Sequence, residues 1–243
     1  MRLIGFSTGA LTRGDFRAAL HILEETHVHA VELSALRQNE LIPLIRDLND
    51  LDLRQFQYKS FHAPSVMDRD FEPVAIDALH EVALREWPII IHPDAMYDLS
   101  RWEHFGDLLC IENMDKRKPM GQTVAHLSEV FKALPRASLC FDIGHARQVD
   151  PTMSEAAAIL QFCNGRLRQL HISEVNSQSK HDPLSFESIL AFRKVAHLIP
   201  ETVPVIVESR VGKDEVDEEI QNVRKALSFE NVLALAGGWR SGG

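Results

Sequence analysis

Short apolar runs alternate with amphipathic stretches from one end of this 243-residue chain to the other. The runs fall at Arg2–Ser7, Ala30–Leu33, Gln57–His62, Pro88–His92, Leu108–Asn113, Ser138–Asp142, Arg168–Ile172 and Pro204–Glu208. Each looks like a strand buried on both faces, the pattern of parallel sheets. Between the runs lie helical spacings. Phe16, Ala19, Leu20 and Leu23 follow an i, i+3, i+4, i+7 pattern behind Asp15, placed as an N-cap. Leu41, Leu44, Ile45 and Leu48 repeat it behind Asn39, and Pro73 suits the first turn of a helix carrying Val74, Ala78 and Val82. Further helices are predicted around Val124–Leu134 and Ser154–Phe162, from Phe186 after a Ser185 cap, and through Val216, Ile220, Val223 and Leu227. The acids that open the last one, Asp214, Glu215, Asp217 and Glu218, face the positive end of its dipole. Only Asp98–Phe105 separates the fourth run from the fifth, room for two turns.

Eight strand–helix units predict an α/β fold, a (β/α)8 TIM barrel built as a single domain over residues 1–236. The Gly-rich stretch 237–243 is expected to be a flexible C-terminal tail. A doubly wound open sheet is the alternative, and no GxGxxG loop follows the first run to support it.

Composition narrows the function classes. With 45% apolar residues the chain can bury a sizeable core, which argues against disorder. A formal charge of −9 disfavours a general nucleic-acid or anionic-membrane binder, though not a local basic patch. No apolar stretch approaches the roughly 20 residues that span a bilayer, and residues 1–10 show neither an apolar signal core nor a cleavage motif. Cys110, Cys140 and Cys163 have no CxxC spacing, and two of them lie inside strand runs. They read as reduced core residues of a cytoplasmic protein.

The candidate chemistry sits where the strands end. His62, His92, Glu112, Asp142, His171 and Glu208 each stand at the close of an apolar run. Burying an unpaired ionisable group is costly, so six such endings argue that the strands converge on one polar site. In a parallel barrel the strand C-termini share one face, where active sites collect. Imidazole nitrogens with carboxylate oxygens suit Zn²⁺, Mn²⁺ or Fe²⁺ better than Ca²⁺. Lys116, Arg117 and Lys118, joined by Lys180, are placed to hold a phosphate at the mouth; a solvated basic loop is the bland alternative. Glu32, ending the second run, is expected to pair with Arg37 or Arg13, and Trp102 to be core.

The motifs HAP at His62, HPD at His92, IEN at Glu112, DIGH at Asp142 and His145, LHISE at His171 and VES at Glu208 together resemble the xylose-isomerase-like barrels. That superfamily is shared by sugar and sugar-phosphate isomerases and epimerases and by endonuclease IV-type apurinic endonucleases. The resemblance covers essentially the whole chain, with the motifs in the family's order. It implies that Glu112, Asp142, His171 and Glu208 hold the superfamily's common metal. It also implies that His62 and His92, with Glu112 as a bridge, hold a second metal as in the endonuclease branch. His145 and His181 resemble two ligands of that branch's third metal. Where the branch carries Asp-x-His, this chain has Ser179-Lys180-His181, leaving Asp182 as the substitute carboxylate, so one or two metals are expected rather than three. The epimerase branch continues after its seventh-strand His to a substrate-contacting Arg, and here that position is Ser177. Barrels of this type also form homo-oligomers.

Two chemistries compete for these residues. As an isomerase or epimerase of a small sugar or sugar phosphate, the enzyme moves a proton through an enediolate, with Glu112 and Glu208 as base and acid. As a di- or trinuclear phosphoesterase of the apurinic-endonuclease type, metal-activated water attacks a phosphoester, and the metals occupy both carboxylates. A third reading is a non-catalytic barrel with a vestigial metal site. The isomerase on a carbohydrate substrate is the leading expectation, with His145 either ligand or substrate contact.

Overall fold

The computed structural model describes residues 2–228. Its strands begin with β1 (Ile4–Ser7), β2 (Ala30–Ser34), β3 (Tyr58–His62), β4 (Ile89–Ile91), β5 (Leu109–Glu112), β6 (Ser138–Asp142) and β7 (Leu167–Ile172). After a two-residue antiparallel hairpin, β8 (Glu174–Val175) with β9 (His181–Asp182), the chain supplies β10 (Val205–Val207). The eight long strands pair in parallel in sequence order, and β10 pairs with β1 through Ile4↔Val205 and Gly5↔Ile206 to close the barrel. All eight predicted runs are therefore barrel strands, and the expected (β/α)8 architecture is the one observed.

Helices α1 (Thr8–Thr12), α2 (Phe16–Glu24), α3 (Gln38–Asp47), α4 (Glu72–Ala83), α5 (Val124–Ala133), α6 (Ile143–Val149), α7 (Ser154–Phe162), α8 (Phe186–Ala196) and α9 (Val216–Leu227) return the chain between strands. Asp15 caps α2 by accepting from the Ala18 amide at 3.0 Å, and Ser185 caps α8 through the Ser188 amide at 3.2 Å. Helix α3 starts one residue ahead of the expected Asn39 cap; the Glu40 carboxylate reaches back to the Arg37 amide at 3.1 Å instead. The short fourth crossover is not α-helical. It is a 3₁₀ segment, Leu99–Leu108, broken at Gly106, whose φ of 59° favours glycine. That segment is pinned from below by Glu72, which accepts from the Tyr97 amide at 2.6 Å, the Asp98 amide at 3.1 Å and Trp102 Nε1 at 3.0 Å. Trp102 is accordingly buried core. The tail expected at 237–243 lies outside the described residues.

Alternation along each strand separates two interiors. Phe6, Phe61 and Phe141 point outward and are fully buried under the helices, each stabilising the fold by roughly 1.5–3 kcal/mol. Ile90, Cys110 and Cys140 form a separate apolar cluster inside the barrel. All three cysteines are buried free thiols, and burial pushes the Cys110 thiol up to about 12. Above that apolar plug the inward side chains turn polar, and there the site begins.

Candidate metal centre

Register carries the polar groups to one level. Asp142 pairs with His171 across β6 and β7, and Glu112 with Cys140 across β5 and β6. His92 and Glu208 follow directly on β4 and β10. All six strand-terminal residues meet at the C-terminal mouth, with His62, His92, Glu112, Asp142 and His171 buried and Glu208 partly exposed to a cavity of about 310 Å³.

They form three interlocked groups, in each of which the potential ligand atoms lie within 4.8 Å of one another: His62, His92 and Glu112; Glu112, Asp142, His171 and Glu208; Asp142, His145 and His181. Glu112 joins the first two. Its Oε2 lies 3.1 Å from His62 Nε2 and 3.2 Å from His92 Nε2, while Oε1 lies 3.4 Å from both His171 Nδ1 and His145 Nδ1. Asp142 joins the second group to the third, its Oδ2 lying 3.4 Å from His145 Nδ1. His181 Nδ1 lies 3.3 Å from Glu208 Oε2. The carboxylate that lies with His145 and His181 is Asp142 rather than the expected Asp182. Asp182 is turned away, accepting from Asn176 Nδ2 at 2.7 Å. Ser179, at the position where the endonuclease branch has that Asp, donates instead to Asp115 Oδ1 at 2.8 Å.

Backbone groups orient the histidines. His62 Nδ1 donates to the Ala63 carbonyl at 2.6 Å and His145 Nδ1 to the Asn113 carbonyl at 2.9 Å, which leaves Nε2 of each ring as the free donor atom. Asn113, the last letter of IEN, also locks β5 to β6: it donates to the Asp142 carbonyl at 2.8 Å and accepts from the Asp142 amide at 2.7 Å. Gly144 permits the next turn, because a Cβ there would sit 2.5 Å from the Ser173 carbonyl oxygen. That close approach brings His145 over the centre.

The electrostatics fit a bound cation. Burial pushes the Glu208 carboxyl up to about 8, against the pull of His171, and burial likewise raises Asp142. Glu112 is held well below the carboxylate range: burial opposes this, but the charges of His171 and His92 and hydrogen bonds from His171 and His62 prevail. His62 is raised to about 9 despite burial, through its bond to Glu112, whereas burial and His145 drive His181 down to about 3. Asp142 Oδ2 and His92 Nδ1 are buried with no hydrogen-bond partner among the described residues. Buried carboxylate and imidazole atoms left without a partner are of the kind that divalent cations with mixed N/O shells satisfy. The donor set thus fits a divalent metal.

Among the predicted phosphate contacts, Arg117 lines the cavity but is paired with Asp115 at 3.1 Å. This pair contributes to holding Asp115 down at about 2 against its burial. Lys116 and Lys180 do not line the cavity; Lys118 does, and pairs with Asp94 at 2.9 Å. Arg210 also lines it, exposed and with no carboxylate partner among the described residues. Its signal in the sequence was the cation two places after Glu208 in VESR. Ala10, Leu36 and Val66 give the cavity an apolar part of its lining.

Glu32 overturns its expected pairing. Arg37 bonds Glu40 instead, and Glu32 is fully buried inside the barrel, with His171 Nε2 3.0 Å from its Oε2. Inward alternation from Ser34 and Ala30 on β2 was the clue, since residue 32 shares their face.

No protein-family model matches the sequence, and no curated protein does. Solved structures match in fold. A candidate sugar phosphate isomerase/epimerase of Anabaena variabilis ATCC 29413 superposes with a TM-score of 0.57 at 14% identity, over 93% of this chain and 98% of that one. The 3-keto-D-glucoside 4-epimerase of E. coli gives a TM-score of 0.57 at 12% identity, over 93% of this chain and 99% of its own. A protein of Sinorhizobium meliloti 1021 gives 0.58 at 11%, over 93% and 99%. The closed eight-stranded parallel barrel of this chain is thus a fold these structures share. Among the described residues, no helix is long and apolar enough to cross a membrane.

Proposed function

We propose that this barrel is a multinuclear divalent-metal enzyme that cleaves a phosphoester of a small phosphorylated carbohydrate. One observation carries the reading: Glu112 faces different histidines with each of its oxygens and so belongs to two groups at once. A carboxylate held on both sides is not free to shuttle protons, as the isomerase chemistry requires. His62, His92, Glu112, Asp142, His145, His171, His181 and Glu208 would hold the ions. When bound, divalent ions would polarise phosphoryl oxygens and acidify water in the cavity.

The chain's own part is binding and orientation. Arg210, with no carboxylate partner among the described residues, takes the phosphate, with Arg117 and Lys118 adding positive potential from within their ion pairs. Ser7 and Ser65 on the wall offer hydroxyls to a polyol, and Leu36 and Val66 cover its apolar face and exclude water. A cavity of about 310 Å³ on a chain of net charge −9 suits a small phosphorylated molecule rather than a duplex. The test is phosphate release from a panel of sugar phosphates and small phosphodiesters by the metal-loaded protein. Release that is abolished by chelator and restored by Zn²⁺ or Mn²⁺ supports the reading; no release from any member sinks it.

Isomerisation or epimerisation of a sugar is the second reading. It is favoured by Glu208, a carboxylate of elevated pKa on the cavity wall, and by the activities borne by proteins of the same fold. It predicts deuterium exchange from D₂O into a ketose without phosphate release. A vestigial barrel predicts neither reaction.

A further inference from the structure

We propose that Glu32 is a positioning residue for the metal centre, fixing the ring of His171 from beneath so that its Nδ1 faces the Glu112–Asp142–Glu208 group. The inference rests on the metal reading of that centre and not on which reaction it performs.

Glu32 reaches across the barrel interior from β2 to β7. It is fully buried and does not line the cavity. Its Oε2 accepts from Gln169 Nε2 at 2.7 Å, His171 Nε2 at 3.0 Å and Ser60 Oγ at 3.3 Å. Gln169 is itself fixed, accepting from the Tyr58 hydroxyl at 2.8 Å. A buried carboxylate is retained only where donors converge on it. Gln169 Nε2 also lies 2.7 Å from His171 Nε2, so the Gln169 N–H competes with the Glu32 carboxylate for that ring nitrogen, and the charged carboxylate is the stronger partner.

This arrangement decides which nitrogen of His171 is free. A lone imidazole can present either nitrogen and can flip about its side-chain torsion. With Nε2–H committed to Glu32, Nδ1 faces upward, 3.4 Å from Glu112 Oε1 and 3.6 Å from Glu208 Oε1, and is the nitrogen that would give its lone pair to a bound cation. A carboxylate behind a ligating histidine fixes its tautomer and raises its basicity. His62 and His145 are held by backbone carbonyls; among the described residues, His171 alone of the five histidines in these groups pairs with a carboxylate outside them.

The experiment uses the full chain. Zn²⁺ affinity is measured by chelator competition for wild type, E32Q and E32D, with circular dichroism to establish folding. In parallel, ¹⁵N NMR of the zinc-loaded wild type reads which nitrogen of His171 carries a proton. The expected result is a roughly 10- to 100-fold weaker affinity in E32Q, partial recovery in E32D, and a proton on Nε2 in wild type. A folded E32Q with wild-type affinity, or a proton on His171 Nδ1 in the zinc form, overturns the proposal. Should E32Q fail to fold, the wild-type spectrum decides alone. Wild type that binds no zinc overturns this inference together with the metal reading, whereas tight zinc binding without phosphoester cleavage overturns only the proposed reaction.

Discussion

Glu112 turns Oε1 toward His171 Nδ1 at 3.4 Å and keeps Oε2 for His62 and His92. One carboxylate from β5 therefore links ligands carried by β3, β4 and β7, which span more than half the barrel's circumference. The centre is a connected cluster, and its parts should fail together.

Glu112→Gln tests that connection. The amide is isosteric but cannot bridge two cations, so metal content should fall by more than one ion per chain and turnover by roughly 10³-fold or more. Elemental analysis and rate measurement on the same preparation check it. Loss of a single ion with residual turnover near wild type would show the groups to be independent.

Arg210→Ala probes substrate charge. Losing a charge-assisted hydrogen bond of about 1.5–3 kcal/mol should raise KM for a phosphorylated substrate roughly ten-fold or more while leaving kcat within a few-fold. An equal effect on an uncharged analogue would remove Arg210 from the phosphate site.

The metal-free protein should be most stable in mildly acidic solution, where the losses set by His181 and Glu208 offset each other and that of His62 has not begun. His181 is held at about 3, so it stays neutral when folded while its unfolded counterpart protonates; stability is lost as pH falls below 6.5. His62 and Glu208 have the opposite sign. Their folded values, about 9 and about 8, lie above the unfolded ones, so stability present at low pH is lost as pH rises through those values. Melting temperature should therefore fall between pH 6.5 and 9 without metal, and Glu208→Gln should flatten that limb. A metal-free melting temperature that climbs across the window would contradict the assignment.

Glu72→Ala tests the fold beneath the site. Three buried or half-buried donors, from Tyr97, Asp98 and Trp102, lose their acceptor at once, and an unsatisfied donor costs about 1–3 kcal/mol. A destabilisation of about 3 kcal/mol or more in chemical denaturation is expected. A change below about 0.5 kcal/mol, the scale of an ordinary surface substitution, would mean that this carboxylate does not anchor the fourth crossover.

The sequence made the barrel legible because most positions of its buried strands are apolar, and because ionisable residues stand out at their ends. His62, His92, Glu112, Asp142, His171 and Glu208 were readable for that reason. The third group was obscured because the position expected to hold Asp carries Ser179, while Asp142 serves two groups from another strand, a sharing that spacing does not reveal. Glu32 was misread because Arg37 and Arg13 are near in sequence, whereas its partner His171 is 139 residues away and meets it only through closure of the barrel. Lys116 and Lys180 carried the right charge, but local turns direct them away from the cavity that Arg210 enters. The fourth crossover was too short for helical periodicity to distinguish a 3₁₀ segment from an α-helix.

Metal content tests the account most directly. The protein, purified without chelator and dialysed against buffer containing Zn²⁺ or Mn²⁺, is analysed for bound metal per chain. Three interlocked groups predict two or three tightly held divalent ions. One ion, or none, would contradict a multinuclear centre.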